Sequence, residues 1–219
     1  MFWKDEGYLL SKTNYNENSI IIEVFTLDHG KYSGIVYGGS SREQKKKIQI
    51  GNKISINCKS KNQNKPGYFT VELIKPTSPQ FFDNKKKSIC ILAASSILKI
   101  LLPEGQVNKK IYQAFDNLIE CLINDQWIKA YIFWELSLIK ELGFAVNFYT
   151  KENALIKSIK INDRLFKVPS ILFDNNGGKF SDSDIKDALI FNKNLLIENF
   201  ISPNKLRFPF SRIILEKYF

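Results

Sequence analysis

A single histidine, His29, sits between Asp28 and Gly30 in the run Leu27-Asp28-His29-Gly30. A serine–histidine or cysteine–histidine relay needs an imidazole as its base, so nucleophilic catalysis has one address in this chain. A residue flanked by aspartate and glycine between two apolar runs reads more simply as part of a tight turn. Metal chemistry has equally little to work with. Cys58, Cys90 and Cys121 are three in number and far apart, which matches neither a zinc-ligand spacing nor a disulfide framework. They read as small buried apolar residues of a reducing cytoplasm. Asp182, Asp184 and Asp187 lack the glycine and closing glutamate of an EF-hand loop and suit the start of a helix. Gly34, Gly38 and Gly39 precede no Lys-Ser/Thr pair, so they form no phosphate loop; a barrel bend or bulge is the simpler reading. No catalytic residue, metal site or cofactor is expected.

The chemistry these residues do support is electrostatic. The run Gly38-Gly39-Ser40-Ser41 leads into Arg42-Glu43-Gln44-Lys45-Lys46-Lys47, expected as a flexible basic loop that offers mobile charge to phosphates. Arg42, Lys45, Lys46 and Lys47 are the first candidates for contact with a polyanion. Lys31 on the preceding strand is a further candidate, and Lys53, Lys59, Lys61 and Lys65, on and after a later strand, add a second basic row. Tyr37, Tyr68 and Phe69 place aromatic faces beside this charge, and stacking one base on such a ring contributes about 1–3 kcal/mol without sequence preference. Lys85-Lys86-Lys87 opens a helix against its dipole, which suits an exposed linker or a further phosphate contact.

Over 219 residues, 32 Lys+Arg stand against 22 Asp+Glu, a formal charge of +10 that favours nucleic acid or an anionic surface. Ile, Asn and Lys share A/T-rich codons, so base composition alone raises lysine. The distribution argues for more. Residues 1–80 hold 12 basic and 7 acidic side chains, and residues 81–219 hold 20 and 15, so the same surplus is packed into the shorter span.

The elements that must position these groups follow from periodicity. Residues 8–12, 19–26, 31–37, 53–59 and 67–74 read as strands, either β-branched and apolar or alternating with period two. Gly30 suits the positive φ of the hairpin between the second and third. Five short strands in some 75 residues suggest a small closed barrel of the OB type, with an SH3-like barrel or an open sheet as the alternative. After Pro76 and Pro79 the period becomes helical over 85–102, 107–124 and 126–142, with breaks at Pro103-Glu104-Gly105 and Gly143. Residues 148–180 read as a small strand insert. Ser181 to Asp184 offer N-caps for a helix from Ile185 to about Asn199, and a last helix begins near Pro209. The expected architecture is α+β, β then α. An OB barrel over 1–80 precedes a helical bundle over 81–219 that carries the insert.

Several strings in this frame resemble the RecO family of bacterial recombination mediators, particularly its alphaproteobacterial form. They are Trp3-Lys4-Asp5-Glu6-Gly7-Tyr8-Leu9-Leu10, Thr26-Leu27-Asp28-His29-Gly30, Tyr37-Gly38-Gly39-Ser40-Ser41-Arg42, Trp134 through Phe144, and Phe208-Pro209-Phe210-Ser211-Arg212. The resemblance covers essentially the whole chain in order. It implies a non-enzymatic DNA repair role. Such a protein binds single- and double-stranded DNA, anneals complementary strands, and with RecR helps RecA replace single-strand-binding protein (SSB). It also implies recognition of the acidic, phenylalanine-ending SSB tail, for which Lys129, Lys140 and Arg212 are the candidates here. Many members carry a four-cysteine zinc knuckle after the Leu-Gly-Phe string. Residues 145–180 contain no cysteine, so the insert is expected to be a degenerate knuckle packed by Ile159, Ile161, Leu165 and Phe166.

Two other readings compete. One is an RNA-binding OB protein; the other is an adaptor acting through the helical bundle, with its basicity due to codon bias. The start Met1-Phe2-Trp3-Lys4-Asp5-Glu6 lacks a secretory pattern, and the longest apolar run, around Ile89 to Leu102, is broken by Ser95, Ser96 and Lys99. A cytoplasmic, nucleoid-associated protein without membrane contact is expected.

Overall fold

A computed structural model describes residues 2–60, 67–149, 155–173 and 180–219. Five strands, β1 (Phe2–Asn14), β2 (Ser19–Thr26), β3 (Gly30–Tyr37), β4 (Lys53–Lys59) and β5 (Gly67–Lys75), close into a barrel in the order β1-β2-β3-β5-β4. Every pairing is antiparallel except β3 with β5, the parallel contact that closes an OB barrel. The alternation that marks the strands in sequence fills the interior with Leu9, Ile22, Val24, Val36, Ile54, Ile56, Phe69 and Val71. Each such side chain contributes about 1.5–3 kcal/mol on burial. No helix among the described residues is long and apolar enough to cross a membrane.

Several local expectations change. β1 begins at Phe2 rather than Tyr8, because Trp3-Lys4-Asp5-Glu6 pairs along β4 and buries Trp3 and Asp5 despite its polar composition. The expected loop after β3 is a short helix, α1 (Arg42–Lys47), whose first turn is capped by the Ser41 hydroxyl accepting from the Gln44 amide at 3.3 Å. The ladder irregularities lie between Leu9 and Ser11 and between Lys53 and Ile54, not at the glycines. Gly34 serves a different need. A Cβ there would meet the Phe69 ring at 2.5 Å, so the interior is filled by the aromatic side chain at that level.

The turn around His29 is held by a buried carboxylate. Asp5 Oδ2 accepts from the backbone amides of Asp28 and His29 at 3.0 and 3.1 Å and pairs with His29 Nδ1 at 2.8 Å. The imidazole stacks on Trp3 at 4.2 Å, and Gly30 takes φ +78°. The one histidine thus closes a hairpin.

By compactness the chain divides into Met1–Tyr112 with Pro209–Arg212, and Gln113–Phe208 with Ile213–Phe219. In the first unit α2 (Lys85–Leu101) packs on β1. Its first turn is capped by Asn84, and Lys99 bridges Glu23 at 2.8 Å. The second unit holds α4 (Trp127–Glu141) against α5 (Asp182–Leu196), which continues into a π turn at Ile197–Ile201. Glu135, fully buried, accepts from Tyr131 Oη at 2.8 Å and Asn192 Nδ2 at 3.2 Å. α3 (Lys109–Cys121) and α6 (Phe210–Glu216) complete the helices. The insert is a hairpin of β6 (Ser158–Ile161) and β7 (Arg164–Lys167), turned by Asn162 and Asp163, both at positive φ. Ile159, Ile161 and Phe166 are half-buried, but Leu165 is 72% exposed and does not pack as expected. Instead Arg164 Nη1 bonds Glu198 Oε1 at 2.7 Å, and Asn162 Nδ2 donates to the Glu198 carbonyl at 3.1 Å.

One buried amide ties the ends of the first unit's elements together. Asn52, fully buried, donates from Nδ2 to the Lys47 carbonyl at 3.0 Å and accepts on Oδ1 from the amides of Thr77 and Ser78 at 2.9 and 3.1 Å. Asn52→Ala strands the Thr77 and Ser78 amides, while the Lys47 carbonyl still accepts from the Gln49 amide at 3.1 Å. Since each unsatisfied buried polar group costs about 1–3 kcal/mol, the variant is expected to lose about 2–4 kcal/mol in urea unfolding. A loss below about 0.5 kcal/mol would show that the two amides find other partners.

Candidate nucleic-acid interface

α1 is too short to form from propensity alone. Its position is set from both ends. Ser40 Oγ donates to the Glu17 carbonyl at 2.8 Å, holding the lead-in against the β1–β2 turn, and the Lys47 carbonyl accepts from Asn52. Ile48, just beyond, is fully buried in the barrel core. Arg42, Lys45 and Lys46 stand at i, i+3 and i+4, so they share one exposed face, while Lys47 is half-buried. Three cations on a fixed helix present a more definite surface than the expected loop.

Beside the start of α1, β3 ends on Tyr37, 65% exposed. Its ring stacks on Tyr68 of β5 at 4.9 Å with an interplanar angle of 14°. A side-chain hydrogen bond with Tyr68 is the main cause that raises the Tyr37 phenol above its ordinary pKa, followed by desolvation and by the nearby Tyr68 and Tyr15 phenols. Tyr15, 59% exposed, lies in the β1–β2 turn, where its amide bonds the Ser19 carbonyl; Ser19 in turn pairs with Tyr37. The sequence reading omits Tyr15, although a hairpin register from Ser19 to Tyr37 would have placed it at the same end. Lys59 pairs across the ladder with Tyr68 and is exposed. Phe69 points the other way and is buried in the core, so it offers no face to a base.

Other candidates are placed elsewhere. Lys31 Nζ donates to the Lys99 carbonyl at 2.5 Å, and burial is the main cause that lowers its pKa. It secures the last turn of α2. Lys53, its side chain 18% exposed, lies 3.6 Å from Glu6 and over the Tyr8 and Tyr112 rings. Lys61 and Lys65 lie outside the described residues. Lys129 sits over the Phe180 ring at 5.2 Å, and Lys140 is exposed in the last turn of α4. Eleven residues apart on one helix, those two share a face but are separated by roughly 16 Å. Arg212 is fully buried and offers nothing to a peptide arriving from solvent. Lys87 lies over the Phe81 ring at 5.8 Å. Among the described residues, no group of three or more His, Cys, Asp or Glu side chains is arranged to hold a metal ion.

Residues 1–77 match the family model for the recombination protein O N terminal, and residues 84–152 match that for the recombination protein O C terminal. The chain is 34% identical over 147 residues to the DNA repair protein RecO of Cereibacter sphaeroides, covering 67% of this chain but only 61% of that one. Two longer matches are to proteins of the same name. The Roseobacter denitrificans protein is 28% identical over 218 residues, with 91% of this chain and 90% of that one covered. The Ehrlichia chaffeensis protein is 30% identical over 228 residues, with 90% and 92% covered.

The tyrosine pair makes its own prediction. In Tyr68→Phe the hydrogen bond that raises the Tyr37 phenol is gone, so Tyr37 is expected to titrate closer to its ordinary value. Ultraviolet difference titration of the phenolate would show this, and an unchanged curve would separate the two rings.

Proposed function

The chain belongs to the RecO family, and on that footing we propose that it is a DNA repair and recombination mediator that grips sugar–phosphate backbones and catalyses no bond-making. The observation that carries this reading is the exposed Arg42, Lys45 and Lys46 face beside the stacked Tyr37–Tyr68 pair. The cations neutralise phosphates without reading sequence, and each neutralised phosphate releases counterions. The rings give unpaired bases a surface to stack on. Together they suit a protein that holds single strands, tolerates duplex, and brings complementary strands together.

Within this proposal the protein acts with RecR to help RecA onto SSB-coated single strands in the cytoplasm, close to the nucleoid. Lys129 and Lys140 are the candidates for the acidic SSB tail; Arg212, fully buried, is out of its reach. The Asp5–His29 pair takes no chemical part. Its carboxylate already serves the hairpin amides, and the neighbouring Thr26 hydroxyl donates to the Gly30 carbonyl at 2.9 Å.

Two substitutions separate the electrostatic and stacking parts. Reversing Arg42, Lys45 and Lys46 to glutamate is expected to lower affinity for single-stranded DNA by about 100-fold or more at moderate salt and to flatten the salt dependence by about 2 in log–log slope. Tyr37→Ala is expected to cost about 1–3 kcal/mol on single strands and much less on duplex, measured by fluorescence anisotropy at matched salt. Unchanged DNA affinity after the charge reversal would favour the adaptor reading, and a preference for structured RNA over either DNA would favour the RNA-binding one.

A further inference from the structure

The irregularity in β1 changes which way the strand's later side chains face. Leu9 lies opposite Val24 in the barrel interior, and Ser11 lies opposite Glu23, so Leu10 is an extra residue in the ladder. Beyond it, Lys12 falls opposite Ile22 and Asn14 opposite Ile20, both core residues. A bulge re-aims side chains in this way. It turns a lysine toward the inner side of the sheet, at the end of the barrel closed by α1 and Ile48.

There Lys12 Nζ donates to the Ile48 carbonyl at 2.8 Å. A cleft of about 370 Å³ opens beside it, lined by Lys12, Asn14, Gly39, Ser40, Lys45 and Ile48. No carboxylate lines it, and among the described residues neither ammonium has an acidic partner. Lys12 is exposed as a residue, but partial desolvation of its ammonium, and after it the nearby charge of Lys45, lowers its pKa. Two like charges facing one half-enclosed space repel each other, and an anion between them relieves the cost.

We propose that this cleft is a phosphate seat, in which Lys12 and Lys45 hold the two non-bridging oxygens of one phosphate and the Asn14 amide supplies a third donor. The inference rests on the nucleic-acid reading above, in which the phosphate belongs to a DNA backbone. A free phosphate ion carries the same tetrahedral oxyanion. Arg42 and Lys46 on the exposed α1 face contact backbones diffusely, whereas a seat walled by β1 and by Lys45 of α1 fixes one phosphate and so sets the register of the strand across Tyr37 and Tyr68.

The test uses the full chain and an oligothymidylate of about 30 nucleotides, titrated between about 50 and 200 mM salt. Lys12→Gln is expected to lower affinity roughly 3–10-fold and to make the salt slope shallower by about 0.7, the loss of one single-strand phosphate contact. Lys45→Gln should do the same. The double variant should be no more than about twofold worse than either, since both lysines serve one phosphate. Lys12→Arg, which keeps the charge, should retain wild-type binding and confirm that the strand tolerates change at this position. Wild-type affinity and slope in Lys12→Gln would overturn the seat while leaving the DNA reading intact. Inorganic phosphate, followed by 31P line broadening, distinguishes the sources. If the wild type binds no oligonucleotide but broadens phosphate in a Lys12-dependent way, the seat stands as a free-anion site and the DNA reading fails. If it does neither, the seat is overturned.

Discussion

Asn52 is the contact on which the rest of the barrel's surface depends. A buried side-chain amide needs both its donor and its acceptor side met, and here Nδ2 is answered by the Lys47 carbonyl and Oδ1 by the consecutive amides of Thr77 and Ser78. The chain is thereby pinned at the end of α1, at the start of β4 and just after β5. Without that anchor, Arg42 to Lys47 would be six mostly charged residues with no apolar face to hold them. With it, they become a fixed rim, and Ile48 can plug the barrel.

The lysines of the first unit divide by what their ammonium groups already hold. Lys31 and Lys99 are spent joining α2 to the barrel, and Lys53 covers aromatic rings. Arg42, Lys45, Lys46 and Lys59 carry no such internal duty in the contacts described. Net charge alone does not separate these groups. Exposure and partners do, and they concentrate the available cations near the exposed tyrosines.

Much of the fold was legible because hydrophobic period tracks burial. β2 and β4 fall where alternation places them, and β3, β5 and α2 fall within a residue of it. The misses share a cause: burial or shape there does not follow composition. Trp3 to Glu6 looks polar yet extends β1, because Asp5 is satisfied by backbone amides and Trp3 by the histidine ring. α1 has no hydrophobic face for a periodic pattern to reveal. Lys12 is hidden from sequence reasoning because one extra residue in the ladder reverses the strand's parity. Of the candidate site, the charged run and the two tyrosines were readable, but which lysines point inward was not.

The β6–β7 hairpin is held partly by charge. Its turn is moored through Arg164 and Asn162 to a single residue, Glu198, whose carboxylate is 13% exposed while the guanidinium is 72% exposed. An ionic tether of this kind weakens as electrolyte rises. The charged part of the insert's mooring therefore loosens with added salt, leaving the uncharged Asn162 bond and the buried Val168 beside β7 to hold it.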